Sequence, residues 1–456
     1  MASDGASILL SSEAEAYVES LEVIPIKDIG SPRWTKQHEY VEKLNMQAVL
    51  HAAANEDEYI KELLIQHDKI PVLISDLMCT EVWQQKVFSI IKRMDFEPRT
   101  TVPLYMSLYH EATLVNLLET ILYHKEPCEA AGDCILDIVD YCYRKITYLI
   151  ARQESGEDED EDEEATPTKA SSLEEERGME ELKKQERKLQ FDVSIKAVSI
   201  LRFITDHISD MSLSVTSRIL NTSDFPCLLV QLMENPPWTK YRNGVLKKFI
   251  DGKWHTVPPS DRMRLTKLEG QVWIALFNLL LGPSCQEKYE FNSHNKAQIL
   301  KLRAHLSEVI LDQIPSLCDL QRYLSHLSMM DPPSSKTGLV LEQVPEIRDG
   351  ILRANEGKWS AIAKHQVKTV FNPSAAAMRE QARRFAETYR LDALETLITE
   401  PPKCAVCGQP ATKRCSRCQN EWYCRRECQV QHWSKHKQAC ALIAESQQAI
   451  KTNGKT

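Results

Sequence analysis

Glycine is scarce in this chain, at only 14 of 456 residues. Loops that cradle a nucleotide phosphate need glycines at fixed spacing so that the backbone can approach closely, and no such loop is present. The Gly-x-Ser-x-Gly turn of serine hydrolases and the His-Glu-x2-His pair of zinc peptidases are missing as well. These absences argue against an enzyme, and we expect no catalytic residues.

Long apolar runs and a secretory leader are also lacking. The longest apolar run, Val272 to Leu281, contains Asn278 and is too short to span a bilayer. The N-terminus has no basic segment followed by an apolar one, and residue 2 is Ala rather than the Gly that N-myristoylation requires. We therefore expect a soluble, intracellular protein without membrane insertion.

The excess of negative over positive charge is concentrated in one place. The formal net charge is -9, and the eight consecutive acids from Glu157 to Glu164 carry nearly all of it. Because the remainder is close to neutral, we expect no nucleic-acid partner. The acidic run repels itself and cannot pack, so residues 153–172 are predicted to form a disordered acidic linker.

Helical periodicity dominates elsewhere. Segments such as Ile60-x2-Leu63-Leu64 repeat apolar residues at intervals of three and four, and no convincing strand alternation interrupts them up to about Arg152. Several predicted helices open with an apolar residue and a proline, whose missing N–H would be unpaired there anyway. These openings are Ile70-Pro71, Val102-Pro103, Phe225-Pro226 and Ile314-Pro315.

We therefore predict an all-α fold. The Pro-started helices resemble armadillo or HEAT helices, although their spacing is irregular, and an armadillo/HEAT-like helical solenoid is preferred over a compact bundle. One insertion has the pattern of strands and not of helices. We predict a β-hairpin at about 238–257, in which an Asp251-Gly252 turn joins Val245 to Ile250 with Lys253 to Val257. Its aromatic residues are expected to pack against neighbouring helices.

The most specific pattern lies near the end of the chain. Eight Cys and His residues recur in four pairs, enough to bind two tetrahedral zinc ions. Two pairs have the Cys-x2-Cys spacing of a tight turn, and two have the four-residue spacing of one helical face. The pairs are Cys404/Cys407, Cys415/Cys418, Cys424/Cys428 and His436/Cys440. Eight ligands leave neither ion an open position, so we expect two structural Zn2+ ions.

A segment of about forty residues buries too little surface to fold alone, whereas structural zinc contributes on the order of 10 kcal/mol. Spacing does not decide whether sequence-adjacent pairs share an ion or whether the pairs interleave. His432 lies four residues before His436 and is a possible competing ligand, but we expect it at the surface. The predicted organisation is two helical regions at 1–152 and 173–400, a zinc module at 401–440 and a tail at 441–456.

The run from Cys415 to Cys424, Cys-Ser-Arg-Cys-Gln-Asn-Glu-Trp-Tyr-Cys, is followed by Gln-x2-His-Trp at Gln429 to Trp433. Both resemble the MYND zinc finger, and all eight ligand positions of that family's pattern are filled. The resemblance implies interleaved ligands, with zinc 1 on Cys404, Cys407, Cys424 and Cys428 and zinc 2 on Cys415, Cys418, His436 and Cys440.

MYND fingers that this one resembles bind short proline-containing peptides in a groove. The resemblance implies contacts from Gln429 and Trp433, with Ser416 and Tyr423 nearby. The alternative is that Trp433 and Tyr423 pack over the zinc cluster. Some MYND proteins are SET-domain lysine methyltransferases, but the Asn-His-Ser-Cys element of that fold is missing here.

The resemblance extends over nearly the whole chain. Leu44-Asn45-Met46-Gln47-Ala48, Leu268 to Leu276 and Gly357 to Gln366 resemble the MYND-type zinc-finger dynein axonemal assembly factors, the BLu protein family. This implies a non-enzymatic cytoplasmic adaptor or co-chaperone for preassembly of inner and outer dynein arms, required for motile cilia. The implied location is apical, or near centriolar satellites and basal bodies, in ciliated cells.

The same resemblance implies the partners. They are a leucine-rich-repeat dynein assembly factor that binds the C-terminal region, an FK506-binding prolyl isomerase, heat-shock chaperones and dynein heavy-chain clients. The alternative is a nuclear transcriptional corepressor whose finger binds proline-containing peptides. No clear basic nuclear import cluster is present, which favours the cytoplasm.

Overall fold

A computed structural model describes residues 9–55, 58–155, 177–242, 244–330, 343–374, 380, 384, 404–418, 421–433, 436–437 and 440–441. The chain divides into two compact units, one of residues 9–372 and one of residues 1–8 with 373–456. We call the first unit the helical body. Of the predicted acidic linker only residues 153–155 are described, and they end a helix; the predicted tail lies outside the described residues apart from residue 441.

The first part of the helical body contains eight α-helices in the described residues. They are α1 Ser11–Ser20, α2 Pro32–Ala54, α3 Tyr59–Gln66, α4 Ile70–Val82, α5 Ser89–Ile91, α6 Val102–Ile121, α7 Lys125–Ala130 and α8 Ile135–Ser155. A π-helical segment, Trp83–Phe88, joins α4 to α5. As predicted, α4 and α6 begin with an apolar residue followed by proline.

The second part continues with helices and one small sheet. Its α-helices are α9 Arg177–Asp206, α10 Leu213–Ser217, α11 Phe225–Glu234, α12 Lys267–Leu281, α13 Pro283–Lys288, α14 Ser293–Leu300, α15 Glu308–Gln313, α16 Leu317–Met329, α17 Ile347–Ala354 and α18 Trp359–Thr369. Proline opens α11 as predicted, whereas α16 begins two residues after Pro315. None of the described helices is long and apolar enough to cross a membrane.

Helix α9 is the centre of the packing. It contacts α6, α8 and α12 more extensively than the other described helix pairs contact each other, while α2 and α4 pack on α6. Buried residues of α9 recur at helical intervals, for example Val193, Ala197 and Leu201, so one apolar face meets the three neighbours. The prediction of a mainly helical fold is confirmed.

Gln366 of α18 ties the end of the helical body to its beginning. Its fully buried amide donates from Nε2 to the carbonyl oxygens of Ile26, Lys27 and Ile29 at 3.1, 3.2 and 3.3 Å. Its Oε1 accepts from Trp83 Nε1 at 2.8 Å. In a solenoid each repeat contacts only its neighbours, whereas these bonds join residues 283 to 340 positions apart. A regular solenoid is therefore not confirmed.

The insertion is a three-stranded antiparallel sheet of β1 Thr239–Arg242, β2 Val245–Ile250 and β3 Lys253–Thr256, in that order. The predicted hairpin corresponds to β2 and β3. Asp251 and Gly252 have φ values of 48° and 78°, the two positive values of a type I′ turn. Strand β1 was not predicted, because four residues with one aromatic side chain carry too little alternation.

A buried polar chain crosses the interface of α2, α4 and α6. His110 Nε2 lies 3.1 Å from Asp76 Oδ2, and His110 Nδ1 lies 2.8 Å from His38 Nδ1. If His110 donates to the carboxylate, its Nδ1 accepts from His38, which leaves His38 Nε2 without a proton. That atom has no partner in the described part of the chain. Burial and the nearby His110 hold the pKa of His38 well below its ordinary value.

This arrangement predicts a loss of stability in acid. In the unfolded chain His38 takes up a proton as the pH falls through about 6.5, whereas in the folded chain it stays neutral. The unfolded state then binds more protons, so the free energy of unfolding falls between pH 7 and pH 5. His38→Gln should reduce that slope by up to about 1.4 kcal/mol per pH unit. Urea denaturation followed by circular dichroism measures it, with exposed His365→Gln as the control; equal slopes in the wild type and His38→Gln would contradict the prediction.

Gln366→Ala should destabilise the helical body strongly. The change leaves the Trp83 indole N–H without its acceptor and removes the donor shared by three carbonyl groups. One unsatisfied buried group costs about 1–3 kcal/mol, so we expect a loss of about 2–4 kcal/mol in the free energy of unfolding. The same denaturation experiment on His365→Ala, an exposed neighbour, should show a change below about 0.5 kcal/mol.

Candidate zinc centre and peptide groove

Two turns and one small hairpin position the first ligands of the finger. The Cys404 turn closes through a Gly408 N–H to Cys404 O bond of 2.9 Å, with Gly408 at φ 68°. Strands β4 Lys413–Arg414 and β5 Trp422–Tyr423 pair in antiparallel fashion on either side of the Cys415 turn. The remaining ligands lie on helical residues 426–433, 436–437 and 440–441, or just before them.

The first group brings together Cys404, Cys407, Cys424 and Cys428, whose sulfur atoms all lie within 4.8 Å of one another. Three of the separations are 3.4 Å for Cys407 to Cys424, 3.7 Å for Cys424 to Cys428 and 3.9 Å for Cys428 to Cys407. A tetrahedron of Zn–S bonds of about 2.3 Å has edges of about 3.8 Å. The group therefore has the dimensions of a zinc site with four cysteine ligands.

The second group is formed by Cys415, Cys418, His436 and Cys440, all four of them buried. Cys415 Sγ lies 3.7 Å from Cys440 Sγ, and Cys418 Sγ lies 3.4 Å from His436 Nε2. These separations suit a zinc site of three cysteines and one histidine, because Zn–N bonds of about 2.0 Å shorten the edges that involve histidine. The structure thus places the ligands in the interleaved arrangement and not the sequential one.

Backbone N–H groups favour the thiolate form, which binds metal, at some of these cysteines. Burial raises the pKa of the Cys404 thiol, but the N–H groups of Cys424, Cys407 and Val406 outweigh it and lower the pKa to about 6. The pKa of the Cys424 thiol is instead raised to about 12 by the neighbouring sulfur atoms, above all that of Cys407. Four thiolates at such short range repel one another, so a cation is needed to hold them all deprotonated.

Tyr423 and His432 form a layer beside the second group. Tyr423 is 1% exposed, and its hydroxyl lies 3.0 Å from His432 Nδ1. The His432 ring in turn stacks on His436 at 5.6 Å between centroids. His432 was expected at the surface, but it is half-buried and orients Tyr423, while His436 belongs to the ligand group.

The four predicted peptide contacts do not share one environment. Trp433 is 38% exposed and lies one helical turn from half-buried Gln429, so both occupy the same face of the helix. Ser416 is exposed on the Cys415 turn, whereas Tyr423 is too deeply buried to contact a peptide. For Tyr423 the structure supports the packing alternative.

Val430 was overlooked in the sequence. It is 67% exposed, three residues before Trp433, and it adds an aliphatic surface to the face that carries Gln429 and Trp433. The available signal was its helical spacing from the tryptophan. We call Gln429, Val430 and Trp433 the Trp433 face. An exposed aromatic side chain beside an aliphatic one is a typical anchor for a proline-containing peptide.

Comparison with known proteins identifies both the finger and the whole chain. A family model, MYND finger, matches residues 404–440. The chain is similar to the zinc finger MYND domain-containing protein 10 homolog of Drosophila melanogaster, with 32% identity over 450 residues. That similarity covers 94% of this chain and 98% of the fly protein. Together with the ligand geometry, the match means that the finger binds two structural zinc ions.

Two plant enzymes match over a short stretch of the chain. Ubiquitin carboxyl-terminal hydrolase 17 of Arabidopsis thaliana is 43% identical over 44 residues, which covers 9% of this chain and 6% of that enzyme. Ubiquitin C-terminal hydrolase 15 of Oryza sativa subsp. japonica is 51% identical over 39 residues, 8% and 4% of the two chains. Such short matches carry over no catalytic chemistry. No solved structure matches the chain.

Removing one ligand should remove metal and unfold the finger. Cys418→Ser should reduce bound zinc from about two equivalents to at most about one, because the second group loses a buried sulfur and zinc binding is coupled to folding. Metal analysis of the purified chain measures the stoichiometry. Cys318→Ser, at an exposed free cysteine outside the finger, should keep both equivalents. Two equivalents in Cys418→Ser would contradict the assigned ligand set.

Proposed function

The chain belongs to the MYND-type zinc-finger family of dynein axonemal assembly factors, and on this basis we propose that it is a cytoplasmic adaptor for preassembly of inner and outer dynein arms. The observation that carries the proposal is the extent of the similarity to the fly relative. It covers 94% of this chain and 98% of that protein, so it includes the helical body as well as the finger. A finger shared by unrelated proteins would match over its own length only.

A non-enzymatic role is supported by the closed zinc groups. Each group has four protein ligands, whereas a catalytic zinc keeps one position open for water or substrate. Within the described residues the metal therefore holds the finger together and offers no reactive site. The adaptor acts by binding other proteins.

We propose that the Trp433 face is one of these binding surfaces. Its tryptophan and valine are exposed at 38% and 67%, and the Trp433 ring lies 6.0 Å from the ring of the ligand His436. A tryptophan side chain has only two rotatable bonds, so it loses little conformational entropy on binding, and tryptophan is enriched among binding hot spots. We propose that the leucine-rich-repeat dynein assembly factor binds this surface.

The remaining partners act with the whole chain. They are an FK506-binding prolyl isomerase, heat-shock chaperones and dynein heavy-chain clients, and the meeting place is the cytoplasm of ciliated cells, near the apical surface, centriolar satellites or basal bodies. The nuclear corepressor alternative is not favoured, because it rests on the finger alone and leaves the similarity of the body unexplained.

Trp433→Ala tests the binding surface in cells. In ciliated cells depleted of the protein, we expect axonemes without inner and outer dynein arms, and re-expression of the wild type should restore them. Trp433→Ala should retain zinc, because Trp433 is not a ligand, but should reduce arm restoration at least severalfold. Electron microscopy of axoneme cross-sections measures arm occupancy.

Two controls make this result decisive. Trp433→Phe keeps an aromatic anchor and should restore most of the arms. Lys437→Ala, at an exposed helical residue of the finger, should behave as the wild type. Normal arms in the depleted cells would refute the proposed function, whereas full rescue by Trp433→Ala would refute only the role of the Trp433 face.

A further inference from the structure

A cavity of about 260 Å³ lies where the three-stranded sheet meets α12 and α15. Its wall includes the fully buried rings of Trp238 and Trp273, together with the side chains of Leu265 and Ile310. Ala304 at its edge is exposed, so the cavity opens to solvent. We call it the Trp238 cavity. All of its lining residues belong to the helical body.

The size of the Trp238 cavity suits one large side chain. An apolar cavity of about 150 Å³ already holds a benzene molecule, whereas drug-sized ligands occupy pockets of about 300–1,000 Å³. The volume of about 260 Å³ lies between these values. The cavity therefore fits an aromatic or branched apolar side chain with its adjoining backbone, which is what a segment of a protein partner supplies.

Several buried polar groups of this wall lack a partner. Trp238 Nε1, Trp273 Nε1 and Ser307 Oγ form no hydrogen bond within the described part of the chain. Ser307 directly precedes α15, but its hydroxyl does not cap that helix. An indole N–H can only donate, and a buried donor without an acceptor destabilises the structure. The wall is thus richer in donors than in acceptors, which favours a ligand with carbonyl or carboxylate oxygens.

The buried ion pair in the wall is already complete. Lys248 Nζ donates to the two carboxylate oxygens of Glu269 at 3.0 and 3.1 Å and to the carbonyl oxygen of Arg264 at 2.9 Å. All three of its N–H bonds are therefore used within the chain. The exposed side chain of Arg262 also lines the cavity and carries the positive charge that this ion pair does not balance.

The rim of the cavity is apolar, and its backbone is held in place. Gln313 Nε2 donates to the carbonyl oxygens of Met263 and Val309 at 3.0 and 2.8 Å, while its Oε1 accepts from the N–H of Leu265 at 2.8 Å. Met263 and Val309 are each 49% exposed. A methionine side chain adapts to different apolar neighbours, and a fixed backbone reduces the entropy lost on binding.

We propose that the Trp238 cavity docks a partner protein by binding one large apolar side chain from an acidic segment. Among the lining residues that the structure describes, the acid is Glu269, which is buried and neutralised by Lys248. The remaining charge is that of Arg262, so charge complementarity favours acids beside the apolar anchor. The inference does not rest on the proposed role in dynein arm assembly.

Synthetic peptides test the proposal on the full-length, zinc-loaded protein. Fluorescein-labelled Glu-Asp-Glu-X-Glu-Asp-Glu is prepared with Phe, Leu or Trp at X, and fluorescence anisotropy measures the affinity. The best of the three should bind at least tenfold more tightly than the peptide with Ala at X, and at least fivefold more tightly than the same peptide with every acid replaced by its amide. No binding by any of the three at about 1 mM would overturn the proposal.

Exposed substitutions locate the binding site without disturbing the buried wall. Ala304→Trp fills the open edge of the cavity and should weaken peptide binding at least tenfold, whereas Ala354→Trp, at an exposed position outside the cavity, should not. Arg262→Glu should weaken binding of the acidic peptide at least fivefold, and exposed Lys364→Glu, which changes the net charge equally, should not. Equal affinity of the wild type and Ala304→Trp would contradict the proposed site.

Phenylacetate separates a protein segment from a small carboxylate. It carries a ring and a negative charge but no peptide backbone, so it should displace the labelled peptide only at a concentration at least tenfold above that of unlabelled peptide. If phenylacetate competes as well as the unlabelled peptide does, the cavity binds small molecules, and the docking proposal is wrong.

Discussion

Zinc coordination is the interaction on which the finger depends. Seven cysteines and one histidine from two turns and the following helical residues meet in two groups, and few buried apolar side chains accompany them. Without the metal, neighbouring thiolates repel one another. The metal–ligand bonds that join the two turns to the helical residues are then also absent. The Trp433 face lies on helical residues of the same finger, so the proposed partner binding would depend on metal binding through the folding of one short segment.

The helical body depends on a different kind of constraint. Its core is mainly apolar, but several polar side chains are placed where only one arrangement satisfies them. Gln366 bonds to three carbonyl groups and one indole, and the pair His38 and His110 is completed by Asp76. Apolar packing tolerates small shifts, whereas these bonds do not. Together they fix the register between helices that are far apart in sequence.

The sequence was most informative where function requires a fixed local spacing. Three kinds of local signal were present: ligand pairs three or four residues apart, the Asp251-Gly252 turn, and proline at the start of α4, α6 and α11. The structure contains the corresponding turns and helices. The interleaved ligand pairing came from the family resemblance, since spacing left it open.

Long-range polar contacts could not be predicted in this way. Gln366 and His38 look like ordinary polar positions on helices, because one sequence does not reveal that Ile26 and His110 will be their partners. Strand β1 was missed because it is short and polar, and the exposed Val430 because a single apolar residue carries no pattern. The solenoid was predicted from the way in which several helices begin. Helix α18, however, packs on α5 and on the π-helical segment before it, and one sequence does not show that the chain returns to these distant elements.

We propose that this chain is an adaptor for dynein arm assembly and that its finger binds a partner. Affinity purification from ciliated cells, with the intact chain and a chain truncated at Pro401, tests it most directly. We expect dynein chains and chaperones to be recovered with the intact protein, and the leucine-rich-repeat assembly factor to be lost on truncation. Recovery of chromatin corepressors without dynein chains, or an unchanged set of partners after truncation, would contradict it.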